Sequence, residues 1–443
     1  MRLGTPDRIR ELQRKLYRKA KQEKEFRFYL LYDKVYRQDI LDHAYQLVRA
    51  NKGAGGVDGL TFDSLEEREG GARKYLAEIA EELRRKVYRP MPVRRVYIPK
   101  ADGGRRPLGI PTIKDRVVQM AVKIVMEPIF EADFQENSYG SRPRRDAHQA
   151  MDDISLHLRM GKIQVIDADL SKYFDTLPHD KLLGQVARRV ADKNILRLIR
   201  MWLKAPVVEE GEDGKKRYLG NDQGTPQGGV ISPLLANIYL HVLDTVWKTR
   251  KVQERFEARL IRYVDDFVVL CKGDTGRLLK GVQRVLGDLG LTLNLGKTRM
   301  VDARKESFNF LGYTVIMRKS PRTGWMFPLI RPSRKAQKRI KVEIKSLTSR
   351  RNLALPKEVV IKKLNEAVRG WAGYFYYGNC SKDFSALKEF LEERVRIYLK
   401  RKHRKKGRGY KAYPSKYLYE ALKLYRIPTT APWTQAVKAA GRR

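Results

Sequence analysis

The sequence predicts an α+β fold, and three features carry that expectation. Apolar runs bounded by turn residues recur at 93–111, 163–170, 260–270 and 308–315, as strands require. Between them lie longer stretches with helical spacing, at 7–37, 64–87, 113–134, 180–205 and 276–289. After Pro332 the pattern becomes helical and basic, which sets a mixed region apart from a helical one. At 443 residues the chain is long enough for about three domains in close contact.

In chain order, residues 7–37 place Ile9, Leu12, Leu16, Leu30, Leu31 and Val35 among many Lys and Arg, the pattern of one or two basic amphipathic helices. Asn51–Gly59 is glycine-rich but lacks the Gly-Lys-Ser/Thr ending of a phosphate-cradling Walker loop. From Val93 to Pro111 two short strands flank Asp102-Gly103-Gly104. This hairpin carries Lys100, Arg105 and Arg106, so cations project from a rigid ribbon, a suitable way to hold a triphosphate. In the helix over 113–134, Val117, Met120, Val122 and Val125 form the expected inner side. Ile163–Leu170 reads as a strand ending in Asp167 and Asp169, and 207–222 as a charged hairpin or loop.

Gln223–Leu240 begins as a glycine-rich turn, which lets backbone approach a ligand, and becomes a helix with Ser232 as N-cap and Pro233 at its first position. The run 260–270 is a strand pair with Asp265 and Asp266 at its tip. Adjacent acids between buried strands resist ionisation unless a cation neutralises them, so this tip is a candidate divalent-metal site. A carboxylate at the end of 163–170 can face it, as metal-bridged phosphoryl transfer requires. Trp371–Tyr377 reads as core aromatics, 400–408 as a cationic run, and the last stretch as a small Tyr-rich basic helical unit.

Composition narrows the partner. There are 93 Lys plus Arg against 51 Asp plus Glu, a net charge of +42, which implies a polyanion, nucleic acid first and an anionic membrane surface second. No run approaches about 18 apolar residues and no signal-peptide core begins the chain, so no membrane partner and a cytoplasmic location are expected. Cys271 and Cys380 are the only cysteines, which excludes a disulfide scaffold and a Cys-based zinc site.

Set in order, these motifs resemble those of reverse transcriptase/maturase proteins encoded by bacterial group II introns: Ile-Pro-Lys-Ala-Asp-Gly-Gly with Arg106 and Pro-Leu-Gly-Ile-Pro, Asp169-Leu-Ser-Lys-Tyr-Phe-Asp, Gln-Gly-Thr-Pro-Gln-Gly-Gly through Leu-Ala-Asn, Tyr-Val-Asp-Asp, and Phe-Leu-Gly-Tyr. The resemblance implies a right-hand polymerase with fingers, a palm built on an antiparallel sheet, and a helical thumb. The expected divisions are a basic extension and start of the fingers at 1–87, fingers at 88–162, palm at 163–327 with a helical fingers/palm region at 180–222, thumb/maturase domain at 328–399, and a basic nucleic-acid-binding segment at 400–443.

The same resemblance implies RNA-directed DNA synthesis, with Asp169, Asp265 and Asp266 holding two Mg2+ ions, for which Mn2+ can substitute. It implies that Lys100 and Arg106 grip the incoming dNTP, that Gln227 lines its pocket, that Phe174 excludes a 2'-hydroxyl, and that Lys297 protonates the departing pyrophosphate. RNA template, DNA primer or target, and group II intron RNA are the implied partners. Two departures stand out. Val264 occupies a position where the family most often has Ala, and the cysteine pairs of the zinc-dependent homing endonuclease are missing. Two other readings remain: a free-standing relative serving DNA repair, CRISPR adaptation or phage defence, and a non-catalytic RNA-binding splicing cofactor.

Overall fold

The computed structural model describes residues 3–99, 104–211, 215–226 and 228–432. Its strands are β1 Val93–Pro99, β2 Arg105–Ile110, β3 Gln164–Ala168, β4 Val207–Glu210, β5 Lys216–Leu219, β6 Arg259–Tyr263, β7 Asp266–Cys271, β8 Arg299–Asp302, β9 Phe308–Phe310, β10 Tyr313–Lys319 and β11 Met326–Pro332. With the intervening helices they give the α+β class expected. The chain forms two compact units from interleaved stretches. Met1–Ala150, Ala168–Phe267 and Asp274–Thr298 make the first; Met151–Asp167, Val268–Gly273 and Arg299–Arg443 make the second.

In the first unit the central helix is Ile113–Glu131, on which Asp7–Gln22 and Gln38–Ala50 pack. Val117, Val122 and Val125 are fully buried, whereas Met120 is half-exposed and lies off the inner face assigned to it. Leu30 is likewise exposed, because the chain there lies outside any helix. The Thr112 hydroxyl caps the central helix by accepting from the Asp115 amide at 3.2 Å. Buried Asp115 accepts in turn from the Tyr88 hydroxyl at 2.5 Å and the Met91 amide at 3.2 Å, which fixes the approach to β1. Burial raises the Asp115 carboxyl above its usual range, and these donors oppose the shift.

One sheet of this unit has the order β2-β1-β4-β5. β1 and β2 are antiparallel, with Ile98 opposite Arg106, so the predicted hairpin exists while its turn residues 100–103 lie outside the described residues. β4 and β5 are antiparallel, which makes the charged stretch a hairpin. The helical region after 179 is two helices, His179–Ala187 and Lys193–Leu203. Asp192 caps the second, accepting from Asn194 and Ile195. The helix after the glycine-rich loop spans Ser232–Thr249, with Ile231 rather than Ser232 at the N-cap position. The Ser232 hydroxyl is engaged elsewhere, with the Thr225 hydroxyl at 2.7 Å and the Pro226 carbonyl at 3.0 Å. It therefore ties the loop to the helix.

In the second unit β7, β3 and β8 lie side by side in that order, and β3 pairs antiparallel with β8. A second sheet has the order β11-β10-β9. Three helices follow: Arg334–Leu347, Lys357–Phe375 and Ser381–Lys402. The predicted aromatic core is present, with Tyr313 and Phe384 fully buried and Trp371 against Phe375 at 4.8 Å and Phe384 at 5.2 Å. Tyr417–Ala421 forms a single short helical stretch.

Candidate active site

The site is built where β6 turns into β7, at Val264-Asp265. Val264 has φ +60°, a left-handed conformation that a β-branched side chain adopts only when the surroundings force it. The forcing group is Arg262, fully buried in β6. Its Nη1 donates to the Val264 carbonyl and to Asn237 Oδ1, both at 2.8 Å, and its Nη2 donates to Ser138 Oγ at 2.7 Å and Asp244 Oδ2 at 2.5 Å. Its Nε donates to Asp244 as well. Both members of the Arg262–Asp244 pair have no side-chain exposure, so the guanidinium is matched by acceptors and not by water.

Around this pair, Asn137 Nδ2 donates to Asp244 at 2.7 Å and Asn237 Nδ2 to the Gly140 carbonyl at 2.8 Å. The 137–139 segment runs alongside β6 through Arg262 N to Asn137 O and Tyr139 N to Arg262 O, both at 2.8 Å. A Cβ at Gly140 would lie 2.6 Å from both Val264 N and Val264 Cγ2, so the turn requires glycine there.

Asp265 is thereby aimed into the site. Burial pushes its carboxyl above the usual range; the Asp169 charge adds to that, and Arg106 and Arg262 oppose it. Asp169 follows β3. Its carbonyl accepts from the Asn294 amide at 2.8 Å, and the Ser171 amide donates to Thr292 O at 3.0 Å, so the 292–297 segment is laced to the acid. That lacing brings Lys297 Nζ to 3.4 Å from Asp169 Oδ2. Lys297 is 63% exposed and Asp169 35% exposed, an ion pair open to solvent. Asp167, in the second unit, instead meets Arg299 at 3.2 Å. The two acids left open by sequence thus have distinct partners.

Phe174 is half-buried, its ring 5.3 Å from that of Tyr173. Its carbonyl accepts from the Thr225 amide at 2.7 Å, which seats the glycine-rich loop on it. Gly224 has φ +86°, and a Cβ there would lie 2.7 Å from the Phe174 and Asp175 carbonyls. On the loop's other side a Cβ at Gly228 would collide with the Gly109 carbonyl of β2. The loop therefore packs on Phe174 at Gly224 and on the cationic hairpin at Gly228, and at these two positions only backbone fits.

Of the expected residues, the structure brings Asp169, Asp265, Arg106 and Lys297 within electrostatic reach and places Phe174 against the loop. Lys100 and Gln227 lie outside the described residues. Asp266 is exposed at the start of β7, and among the described residues no group of three His, Cys, Asp or Glu gathers as a metal site. The functional residues that sequence reasoning missed are Arg262, Asp244 and Asn237. The available signal was a charge inside an apolar run, as in Leu260-Ile261-Arg262 and Leu243-Asp244, since such charges are almost never buried without a partner.

Residues 98–315 match the reverse transcriptase (RNA-dependent DNA polymerase) family, and residues 337–417 match the group II intron, maturase-specific domain. The chain is 36% identical over 351 residues to Protein YkfC of Escherichia coli (strain K12), across 70% of this chain and 89% of that protein. The chain belongs to the group II intron reverse transcriptase family. As a group II intron reverse transcriptase it is an RNA-directed DNA polymerase by class, with the right-hand polymerase fold and a maturase domain. It is also 38% identical over 218 residues to group II intron-encoded protein LtrA of Lactococcus lactis subsp. cremoris, and 28% identical over 338 residues to a 91 kDa protein in the cob intron of Schizosaccharomyces pombe. The match spans only 35% of LtrA and 41% of the yeast protein. No helix among the described residues of this reverse transcriptase is long and apolar enough to cross a membrane.

Proposed function

We propose that this chain extends a primer 3'-hydroxyl on an RNA template with dNTPs, and that its maturase domain binds group II intron RNA and promotes splicing. One observation carries the first part: Asp265, on a turn locked by a buried guanidinium, shares its electrostatic surroundings with Asp169 and Arg106. Reverse transcriptases as a family use divalent metals. The donor set suits Mg2+, which binds through one or two carboxylates and completes its shell with water and substrate phosphates. Two carboxylates, one buried and resisting ionisation, are stabilised as anions by such an ion. Asp169 and Asp265 would hold it, and Asp266 remains the proposed third ligand, on the exposed side of the same turn. When bound, the metal lowers the pKa of the primer hydroxyl and offsets charge on the triphosphate.

The chain's own residues do the rest. Arg106, with Lys100 from the same hairpin, binds the triphosphate and orients it toward Asp265. Phe174 lies on the carbonyl-pinned edge of the glycine-rich loop, where its ring excludes a 2'-hydroxyl, and Gln227 in that loop lines the base pocket. Lys297, held beside Asp169, delivers a proton to pyrophosphate. The proposed divisions are fingers over 88–162, palm over 163–327, thumb over 328–399 and a basic segment over 400–443. The +42 charge fits RNA backbone binding with a steep salt dependence.

Primer extension by the full chain on annealed RNA, beside Asp265→Ala, tests the reading. Synthesis by wild type, its loss in the variant and unchanged RNA affinity in both are expected. Synthesis by Asp265→Ala at the wild-type rate would overturn the assignment.

A further inference from the structure

The antiparallel hairpin β10–β11 has one buried face and one open face. Val315 opposite Ile330 and Met317 opposite Pro328 face the core. The alternate pairs, Ile316 with Leu329 and Arg318 with Phe327, lie on the other face and are part-exposed or exposed. Trp325 continues the alternation of Phe327 and Leu329 one residue beyond the ladder and is 78% exposed, an unusual position for the largest apolar side chain.

The hairpin end is built, not loose. Ser320 N donates to Trp325 O and Gly324 N to Ser320 O, both at 2.9 Å. Thr323 N donates to Ser320 Oγ at 3.3 Å, and Gly324 supplies the required left-handed residue at φ +71°. The indole is thus presented from a hydrogen-bonded frame, at low cost in ordering on contact with a partner.

The charge along this stretch of chain has one sign. From Ser307 to Val342 the sequence contains no Asp or Glu. Arg318, opposite Phe327 on the same face, and Arg322, in the turn before the indole, are both exposed. A flat aromatic and apolar strip on an open sheet face, flanked along the chain only by cations, matches unpaired bases lying on rings while phosphates meet the cations. A duplex keeps its base faces stacked inside and cannot use the strip. A protein partner gains nothing specific from the uniform charge.

We propose that the open face of β10–β11 is a docking platform for single-stranded RNA, with a base stacked on Trp325, a neighbouring base over Phe327, and phosphates on Arg318 and Arg322. The choice of RNA rests on the function proposed above. The platform belongs to the second unit and Asp169 and Asp265 to the first, and it binds single strand rather than the annealed duplex.

The test measures anisotropy of a labelled single-stranded oligoribonucleotide of mixed sequence with the full chain, in wild type, Trp325→Ala, Trp325→Phe and Arg318→Gln/Arg322→Gln. Primer extension on saturating annealed template is measured in parallel. Trp325→Ala is expected to weaken single-strand binding by about 5- to 150-fold, the range for losing one stacked base, while Trp325→Phe retains most affinity. The double Arg variant should lower the salt slope by about 2. Extension at saturation stays unchanged in all. Wild-type RNA affinity in Trp325→Ala, equal loss in the Ala and Phe variants, tighter binding of the matching DNA strand, or a change only in oligomeric state would each overturn the platform. Absence of extension by wild type alongside Trp-dependent RNA binding would refute the polymerase reading and leave the platform standing.

Discussion

Replacing Asp244 by Ala removes the acceptor for three nitrogen–oxygen contacts of Arg262 and leaves a fully buried guanidinium unmatched. Breaking a buried ion pair from one side costs about 3–5 kcal/mol. In a domain of ordinary size this lowers the melting temperature by roughly 6–20 °C. The same substitution frees Arg262 to leave the Val264 carbonyl, so the turn relaxes from φ +60° and Asp265 loses its aim. A misplacement of about 1 Å at reacting groups costs on the order of 100-fold in rate. The assay pairs thermal melting with primer extension well below the variant's melting point. The companion is Asp244→Leu with Arg262→Met, which removes both charges and should recover most stability without recovering synthesis. Refutation takes either of two forms. Asp244→Ala melting within about 1 °C of wild type would deny the pair its structural role. Full synthesis by the double variant would show that the pair supports the fold but does not position Asp265.

Gly140→Ala places a Cβ 2.6 Å from Val264 N, so synthesis should fall at least about tenfold with the secondary structure seen by circular dichroism intact. Phe174→Ala should admit ribonucleotides, read as rNTP addition in single-turnover extension; unchanged selectivity would remove the gate assignment. His241 is half-buried, its ring 5.5 Å from that of Phe134, and desolvation depresses its imidazole to about 4, so it folds neutral. Its contribution is complete above the unfolded value near 6.5 and is lost as pH falls from there toward 4. His241→Gln should flatten that part of the stability–pH curve. Chelation of divalent metal should stop extension while leaving single-stranded RNA affinity within about twofold, since phosphate contacts come from Lys and Arg.

The parts of the site legible in the sequence are those whose chemistry is local. An acid pair between apolar runs declared the turn, and glycines declared a loop under close approach. Cations flanking Asp102-Gly103-Gly104 declared a hairpin, which β1 and β2 form. What sequence could not show is pairing across distance. Arg262 finds Asp244 and Ser138, 18 and 124 residues away, and no periodicity encodes that meeting. Ser232 shows a related limit. Its position before Pro233 suggested a cap, yet a nearby hydroxyl, Thr225, competed for it and won. Asp167 and Asp169 share a strand period, and only the neighbours, Arg299 and Lys297, tell them apart.

The interleaving of the two units also has a temporal side. The first unit takes its last stretch from Asp274–Thr298, and within it the Asn294 amide reaches back to the Asp169 carbonyl. A nascent chain that has passed the acid turn at 265 still lacks this lacing and the Lys297 partner. The pairing of Asp169 with Lys297 therefore cannot form on the ribosome until residue 298 has cleared the exit tunnel, and the longest stretch of the second unit, Arg299–Arg443, emerges only after that. Neither unit can be excised as one continuous fragment, and a premature stop before 298 removes this lacing together with the whole region that matches the maturase-specific domain.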